Sequence, residues 1–214
     1  SMLQRGQSGA TINRGMAALN SFIRSARRHG LTKLRLEAQS VKAERYRDTK
    51  GPGTGGIQKM VAVARAQYNP NKAARDVAIL RLLFGLGLRR AELVACNMAD
   101  LDHGGATLAI IGKGESSRRS LSVPPAAMAA LDEWIKVRGD DPGPLFVSVD
   151  KPSHRLTGAG VYYLIRDMGM QIGIKTRPHG VRHAAITAVL DATNGDMRKA
   201  QAFGRHASAS TTVT

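Results

Sequence analysis

The stretch Val77-Ala78-Ile79-Leu80-Arg81-Leu82-Leu83-Phe84-Gly85-Leu86-Gly87-Leu88 is apolar almost all round a helical wheel, and Arg89-Arg90 ends it abruptly. A surface helix shows one apolar stripe, whereas a helix that is apolar on every side must be covered on every side. The pattern therefore predicts a helix from Lys72 to Leu88, buried from Val77 onward, with the rest of the chain built around it. Asn69-Pro70-Asn71 breaks the preceding helix and supplies a cap for this one.

Beyond the buried helix the periodicity changes from helical to alternating. Residues Ala106 to Ile111 and Arg118 to Val123 read as strands flanking the glycine-rich turn Gly112-Lys113-Gly114-Glu115. With a short strand near Ala99 to Asp102 they make a small antiparallel meander. Pro124-Pro125 then opens a helix through Lys136, carrying Met128, Leu131, Trp134 and Ile135. Further helices are expected near residues 157–172, 180–192, 196–203 and 208–214. Upstream, residues 57–67 read as a helix through Ile57, Met60, Val61 and Ala64. The class is mainly α with a small antiparallel β-sheet (α+β).

Before residue 57 the composition shifts. Asp48-Thr49-Lys50-Gly51-Pro52-Gly53-Thr54-Gly55-Gly56 holds four glycines and a proline in nine residues, the composition of a linker. This places a domain boundary at residues 48–56. Ahead of it, residues 11 to about 29 form an amphipathic pattern with Ile12, Met16, Leu19, Ile23 and Ala26 on one face. Thr11 is the expected N-cap and Gly30 the expected stop. Arg14, Arg24, Arg27 and Arg28 occupy the rest of the circumference, either as a solvated face or as one facing DNA. One helix cannot form a core alone, so residues 1–47 read as the remnant of a helical domain. Ser1-Met2 reads as a cloning remnant.

Composition narrows the partners. Among 214 residues, 32 are Lys or Arg and 16 are Asp or Glu, a formal net charge of +16. Cations facing a polyphosphate release its condensed counterions, which drives salt-sensitive binding. A membrane-surface protein concentrates its charge on one amphipathic helix or tail, whereas here it is spread along the chain. Double-stranded DNA is the expected partner, with no membrane, and the expected location is cytoplasmic beside the nucleoid. The single cysteine, Cys96, excludes an internal disulfide and reads as a buried small side chain. No metal-ligand cluster or phosphate-binding glycine loop is present, so no cofactor and no metal are expected.

Four places can carry chemistry. In Gly87-Leu88-Arg89-Arg90-Ala91-Glu92-Leu93, an arginine directly after a buried helix needs a carboxylate or a ligand. Arg89 and Glu92, three apart, can simply pair. Lys113 sits at the tip of a glycine-flanked hairpin, able to reach into a groove or merely to be solvated. In Pro178-His179-Gly180-Val181-Arg182-His183, His179 and Arg182 share a helical face and His183 lies one step round. In Phe203-Gly204-Arg205-His206 a histidine follows a glycine near a helix entry, where a structural role is the common one. Arginine matches phosphate oxygens with a planar charged fork, and histidine moves protons near neutral pH.

Taken together and in this order, these boxes resemble the tyrosine recombinase (phage integrase) family over about residues 57–214. The family shows an arginine in a Gly-Leu-Arg-x-x-Glu-Leu box, a lysine in a Gly-Lys-Gly hairpin, a His-x-x-Arg-His box and a Gly-His-like box. The helix from Thr11 to Gly30 resembles the last helix of the family's core-binding domain. The resemblance implies that Arg89 and Arg182 clamp the scissile phosphate, and that His206 donates a third hydrogen bond to it. It further implies that Lys113 protonates the departing 5′ oxygen and that His179 assists proton transfer from the nucleophile. Glu92 and His183 would orient the arginines, while Arg90 and Arg118 would join the four helix arginines in contacting DNA.

This chain departs from the family in reading Gly-Arg-His where Leu-Gly-His is more usual. The family's nucleophilic tyrosine stands nine residues after the last histidine, which would be position 215. Tyr46, Tyr68, Tyr162 and Tyr163 lie in other contexts. The chain is thus expected to be a catalytic-domain fragment of a site-specific DNA recombinase that acts through a 3′-phosphotyrosyl intermediate. The fragment would bind DNA without cleaving it. It would be monomeric in solution, and the full-length protein tetrameric on DNA. Two other readings remain at this point: an integrase-like regulator that has lost catalysis, and a type IB topoisomerase. The hairpin and the N-terminal helix argue against the latter.

Overall fold

The computed structural model describes residues 7, 9–36, 40–41, 51–112 and 117–205. The chain divides into two compact units, Ser1–Arg47 and Asp48–Thr214. The first is built on α1 (Gly9–Arg28), with Ile12 and Ile23 buried. Leu19, expected on the same face, is exposed, and so is Phe22. Thr11 is not the cap but lies within the first turn, because the helix begins two residues earlier. Gly30 does end it: at φ +70° the backbone turns back, and the Leu31 amide donates to the Ala26 carbonyl at 2.9 Å. Asn13 then ties residue 41 to α1, its side chain both donating to and accepting from the Val41 backbone at 2.9 and 2.8 Å.

The second unit is mainly helical around one buried helix. It contains α2 (Gly53–Arg65), α3 (Pro70–Gly85), α4 (Arg90–Ala95), a 3-10 turn (Met98–Asp100), β1 (Leu101–Asp102), β2 (Thr107–Ile111) and β3 (Arg118–Ser122). There follow α5 (Pro125–Arg138), α6 (Gly158–Gln171), α7 (Pro178–Ala192) and α8 (Met197–Gly204). The expected helix at 208–214 lies outside the described residues. Helix α3 starts as the sequence indicates, with the Asn69 side chain accepting from the Asn71 and Lys72 amides and Pro70 in the first turn. Its residues Val77, Ala78, Ile79, Leu80, Leu82 and Leu83 are buried, and it packs against α5, α2 and α7. It ends at Gly85 rather than Leu88, since Gly87 takes φ +56° and reverses the chain.

The sheet has the order β1-β2-β3, antiparallel throughout, with Leu108 opposite Leu121 and Ile110 opposite Arg119. Leu108 and Ile110 face the core, as alternation requires. Trp134 of α5 donates its indole N–H to the Leu145 carbonyl at 2.8 Å and stacks on Phe146. Cys96 is buried, and that burial pushes its thiol up to about 12, so it is a packing residue.

The stretch read as a linker needs correction. Gly53 to Gly56 form the first turn of α2, and Pro52 is buried. The glycines there allow close packing rather than flexibility. A Cβ on Gly51 would stand 2.1 Å from the Gly180 carbonyl oxygen of α7, and one on Gly56 would stand 2.8 Å from Pro52. Residues 48–50 lie outside the described residues.

Gly87 sets the entry to the next site. A Cβ there would stand 2.7 Å from the Phe203 ring, in a backbone conformation that costs an L-residue about 1–2 kcal/mol. Gly87→Ala is expected to lower unfolding free energy by about 2 kcal/mol in urea denaturation. A loss below about 0.5 kcal/mol would show that the turn tolerates a side chain.

Candidate functional site

The turn that Gly87 makes delivers Arg89 to the start of α4, where its extended backbone precedes the helix. Glu92, one turn on, is buried and reaches back to it. The Glu92 Oε2 accepts from the Arg89 amide at 2.8 Å, and Oε1 accepts from Arg89 Nη1 at 2.6 Å. The expected pairing of these residues is therefore present. The same carboxylate also accepts from Arg205 Nη2 at 2.9 Å. Burial alone would raise the Glu92 pKa. The bonds from the Arg89 backbone and side chain, with the charge of Arg205, outweigh it and hold the pKa below its ordinary 4.5.

Arg182 rises from the second turn of α7 and is only 3% exposed. Its Nη1 donates to the Gly87 carbonyl and its Nη2 to the Gly204 carbonyl. Gly204 is the last residue of α8, where helix carbonyls lack partners within the helix, and Gly87 stands in the turn just past α3. Burial first, then the charges of Arg89 and Arg205, pull its guanidinium down to about 10, with Glu92 opposing. It remains charged at neutral pH.

Donor counting separates the three arginines. A guanidinium carries five N–H groups. Arg89 gives one to Glu92 and one to the Arg205 carbonyl at 3.1 Å, and Arg182 gives two to carbonyls, so each keeps three. Arg205 is turned inward: Nη1 donates to Leu86 and Phe203, Nη2 to Gly87 and Glu92, and its Nε is buried without a partner. Arg89 and Arg205 share the Glu92 carboxylate while Arg182 has only carbonyl acceptors, so three cations stand near one carboxylate and two positive charges remain to be met by something else. An oxyanion with several acceptor oxygens fits that surplus.

Arg89 and Arg182 line a cleft of about 450 Å³, together with Leu88, Arg90, Tyr162, Arg177, Pro178 and His179. His179 stands at the exposed start of α7, where Pro178 fits the first helical position. Partial burial of its ring lowers its pKa, and the nearby charge of Arg182 and Arg177 acts in the same direction. His179 is therefore biased toward the neutral form, which can accept a proton. His183 is half-buried one position beyond Arg182.

Lys113 and His206 fall outside the described residues. Arg90 is exposed on the cleft. Arg118 is bonded to the buried carboxylate of Asp100, which partly commits its charge. Arg14, Arg24, Arg27 and Arg28 are all exposed on α1 of the first unit. Sequence reading missed Arg177, Tyr162 and Arg205. Tyr162 stands on the helix before the His-x-x-Arg box, and the folding of α6 beside α7 brings it to the cleft. Among the described residues no group of His, Cys, Asp and Glu is placed to hold a metal ion. No helix among them is long and apolar enough to cross a membrane.

The family model described as the phage integrase family matches residues 56–214. A tyrosine recombinase of Synechococcus elongatus is 40% identical over 218 residues, covering 96% of this chain and 66% of the relative. One from Synechocystis sp. is 38% identical over 211 residues, covering 94% of this chain and 66% of the relative. The chain thus spans just under two thirds of the length of these curated relatives. Among solved structures, the Tn1549 transposon integrase in complex with a circular intermediate DNA superposes with a TM-score of 0.79 at 16% identity. That match covers 99% of this chain and 76% of the integrase chain, and it shows a shared fold. Because that family model matches well over half of the chain, the chain belongs to the phage integrase family of tyrosine recombinases.

Proposed function

We propose that residues 57–214 are the catalytic domain of a site-specific DNA recombinase, and that residues 1–47 are the end of its core-binding domain. The donors that the Arg89 and Arg182 guanidiniums keep on one cleft carry this reading. A phosphodiester places two non-bridging oxygens against those guanidinium forks, whose contacts strengthen as negative charge builds on these oxygens in the pentacoordinate transition state.

The reaction is a transesterification in which a tyrosine hydroxyl forms an O–P bond while the bond to the 5′ oxygen breaks. The hydroxyl proton leaves toward His179, whose lowered pKa suits a proton acceptor. Lys113 supplies a proton to the 5′ oxygen, and His206 donates to a non-bridging oxygen. Glu92 and His183 orient the arginines. The tyrosine is assigned, by the family resemblance, to the position after Thr214. No metal or nucleotide is needed, because the phosphodiester energy is kept in the 3′-phosphotyrosyl link. Arg90, Arg118 and Arg177 contact flanking phosphates, as do Arg14, Arg24, Arg27 and Arg28 from the first unit. The full-length protein works as a tetramer on DNA, and this 214-residue chain is monomeric. The Tn1549 integrase, solved on DNA, supports DNA as the partner.

Duplex DNA binding tests this reading. Affinity is expected to fall at least about tenfold between roughly 50 and 200 mM salt. Changing Arg90 or Arg177 to Gln is expected to reduce the log–log slope by about 1 each. Salt-insensitive binding, or slopes unmoved by both changes, would contradict it. A covalent adduct between the 214-residue chain and a nicked suicide duplex would show that a tyrosine within it, Tyr162 foremost, is the attacker.

A further inference from the structure

We propose that Arg205 is a positioning residue for Arg89, holding it in the geometry that meets the phosphate. The inference rests on the reading of Arg89 as an oxyanion ligand. Arg205 caps α8 with a left-handed backbone, φ +49° and ψ 48°. Glycine adopts that conformation without steric cost, whereas a side chain there is disfavoured. The arginine is therefore explained by what its guanidinium does.

It does three things at once. Through Nη2 it shares the Glu92 carboxylate with Arg89, so the carboxylate that grips Arg89 is itself gripped at 2.9 Å. Through both terminal nitrogens it binds the Leu86, Gly87 and Phe203 carbonyls at 2.9–3.2 Å, fastening the end of α8 to the turn that precedes Arg89. Its own carbonyl, aimed by the left-handed backbone, accepts from Arg89 Nη2 at 3.1 Å. Arg89 is held from two sides, and both sides run through residue 205. Arg205 keeps no donor for a ligand, since its side chain is 7% exposed and its four terminal N–H groups have protein acceptors.

Two variants separate the backbone from the guanidinium. Arg205→Gly keeps the left-handed turn and removes the clamp. Arg205→Lys keeps a charge near Glu92 but cannot span four acceptors. The first readout is the Arg89 side-chain Nε–H signal in 15N NMR, assigned by its loss in Arg89→Gln, with its hydrogen-exchange rate. The second is the affinity for inorganic phosphate, titrated on the same samples. Arg205→Gly is expected to speed Arg89 Nε–H exchange and weaken phosphate binding by about tenfold each, with Arg205→Lys between it and the parent. If Arg205→Gly leaves the Arg89 signal and exchange unchanged in a folded protein, the proposal is overturned. If it loses its folded spectrum, Arg205→Lys decides: unchanged Arg89 exchange there overturns the proposal equally. If Arg89→Gln leaves phosphate affinity intact, the oxyanion reading fails, while the Arg89 signal still decides the positioning role.

Discussion

Arg182→Ala is expected to abolish function and to cost stability at the same time. The side chain is buried, and two of its N–H groups bind the turn carbonyl of Gly87 and the helix-end carbonyl of Gly204. Gly87 keeps Arg205 as a donor, but Gly204 loses its side-chain partner and a cavity opens beside it. Removing one cation from a site with surplus positive charge offsets part of this loss. The net destabilisation is expected to be about 2–3 kcal/mol in urea denaturation. The functional loss is larger, because Arg182 has three donors left for phosphate oxygens. With the tyrosine proposed to follow Thr214 in place, covalent-complex formation is expected to fall by about 10²–10³-fold. A fall of less than about tenfold would remove Arg182 from the phosphate site.

Glu92→Gln is the complementary case, a change of one charge with almost no change of shape. It leaves Arg205, whose side chain is 7% exposed, and Arg89 without their shared counter-ion, and it turns an amide N–H₂ toward guanidinium donors. Breaking a buried pair from one side costs about 3–5 kcal/mol, because the remaining charge stays buried. The pH dependence has a definite sign. The folded pKa of Glu92 lies below its ordinary 4.5, so its contribution is full above that pH and is lost as pH falls through the folded value. The parent protein is therefore expected to lose this contribution below about pH 4.5, and Glu92→Gln to show a flatter acid limb over that range. Parallel acid limbs for the two proteins would show that Glu92 is not held as a carboxylate.

Both cases depend on features legible in the sequence to different degrees. The apolar run from Val77 fixes α3 because a helix with no polar side has no place but the centre. The two strands were readable because alternation at Leu108 and Ile110 marks a half-buried face. The pairing of Arg89 with Glu92 was readable because it is local. The role of Arg205 was not. Its partners at residues 86, 87 and 92 lie more than a hundred positions away, and only the docking of α8 beside α7, with Arg182 bridging Gly204 to Gly87, brings them together. The glycines at 51–56 misled for a related reason, since composition cannot distinguish a flexible stretch from one packed against another backbone. Gly51 lies against Gly180, in the His-x-x-Arg box itself. Tyr162 joins the cleft through the packing of α6 beside α7, and Arg177 through its place directly before α7; neither carries a sequence signal of its own.

The central claim is that Arg89 and Arg182 form one oxyanion site. Crystals of this chain soaked in tungstate, a heavy tetrahedral oxyanion, test it most directly. Tungsten density is predicted in the cleft, with oxygens about 3 Å from guanidinium nitrogens of both Arg89 and Arg182 and with His179 at its rim. Tungstate bound only elsewhere, or a cleft that stays empty at saturating concentration, would contradict it.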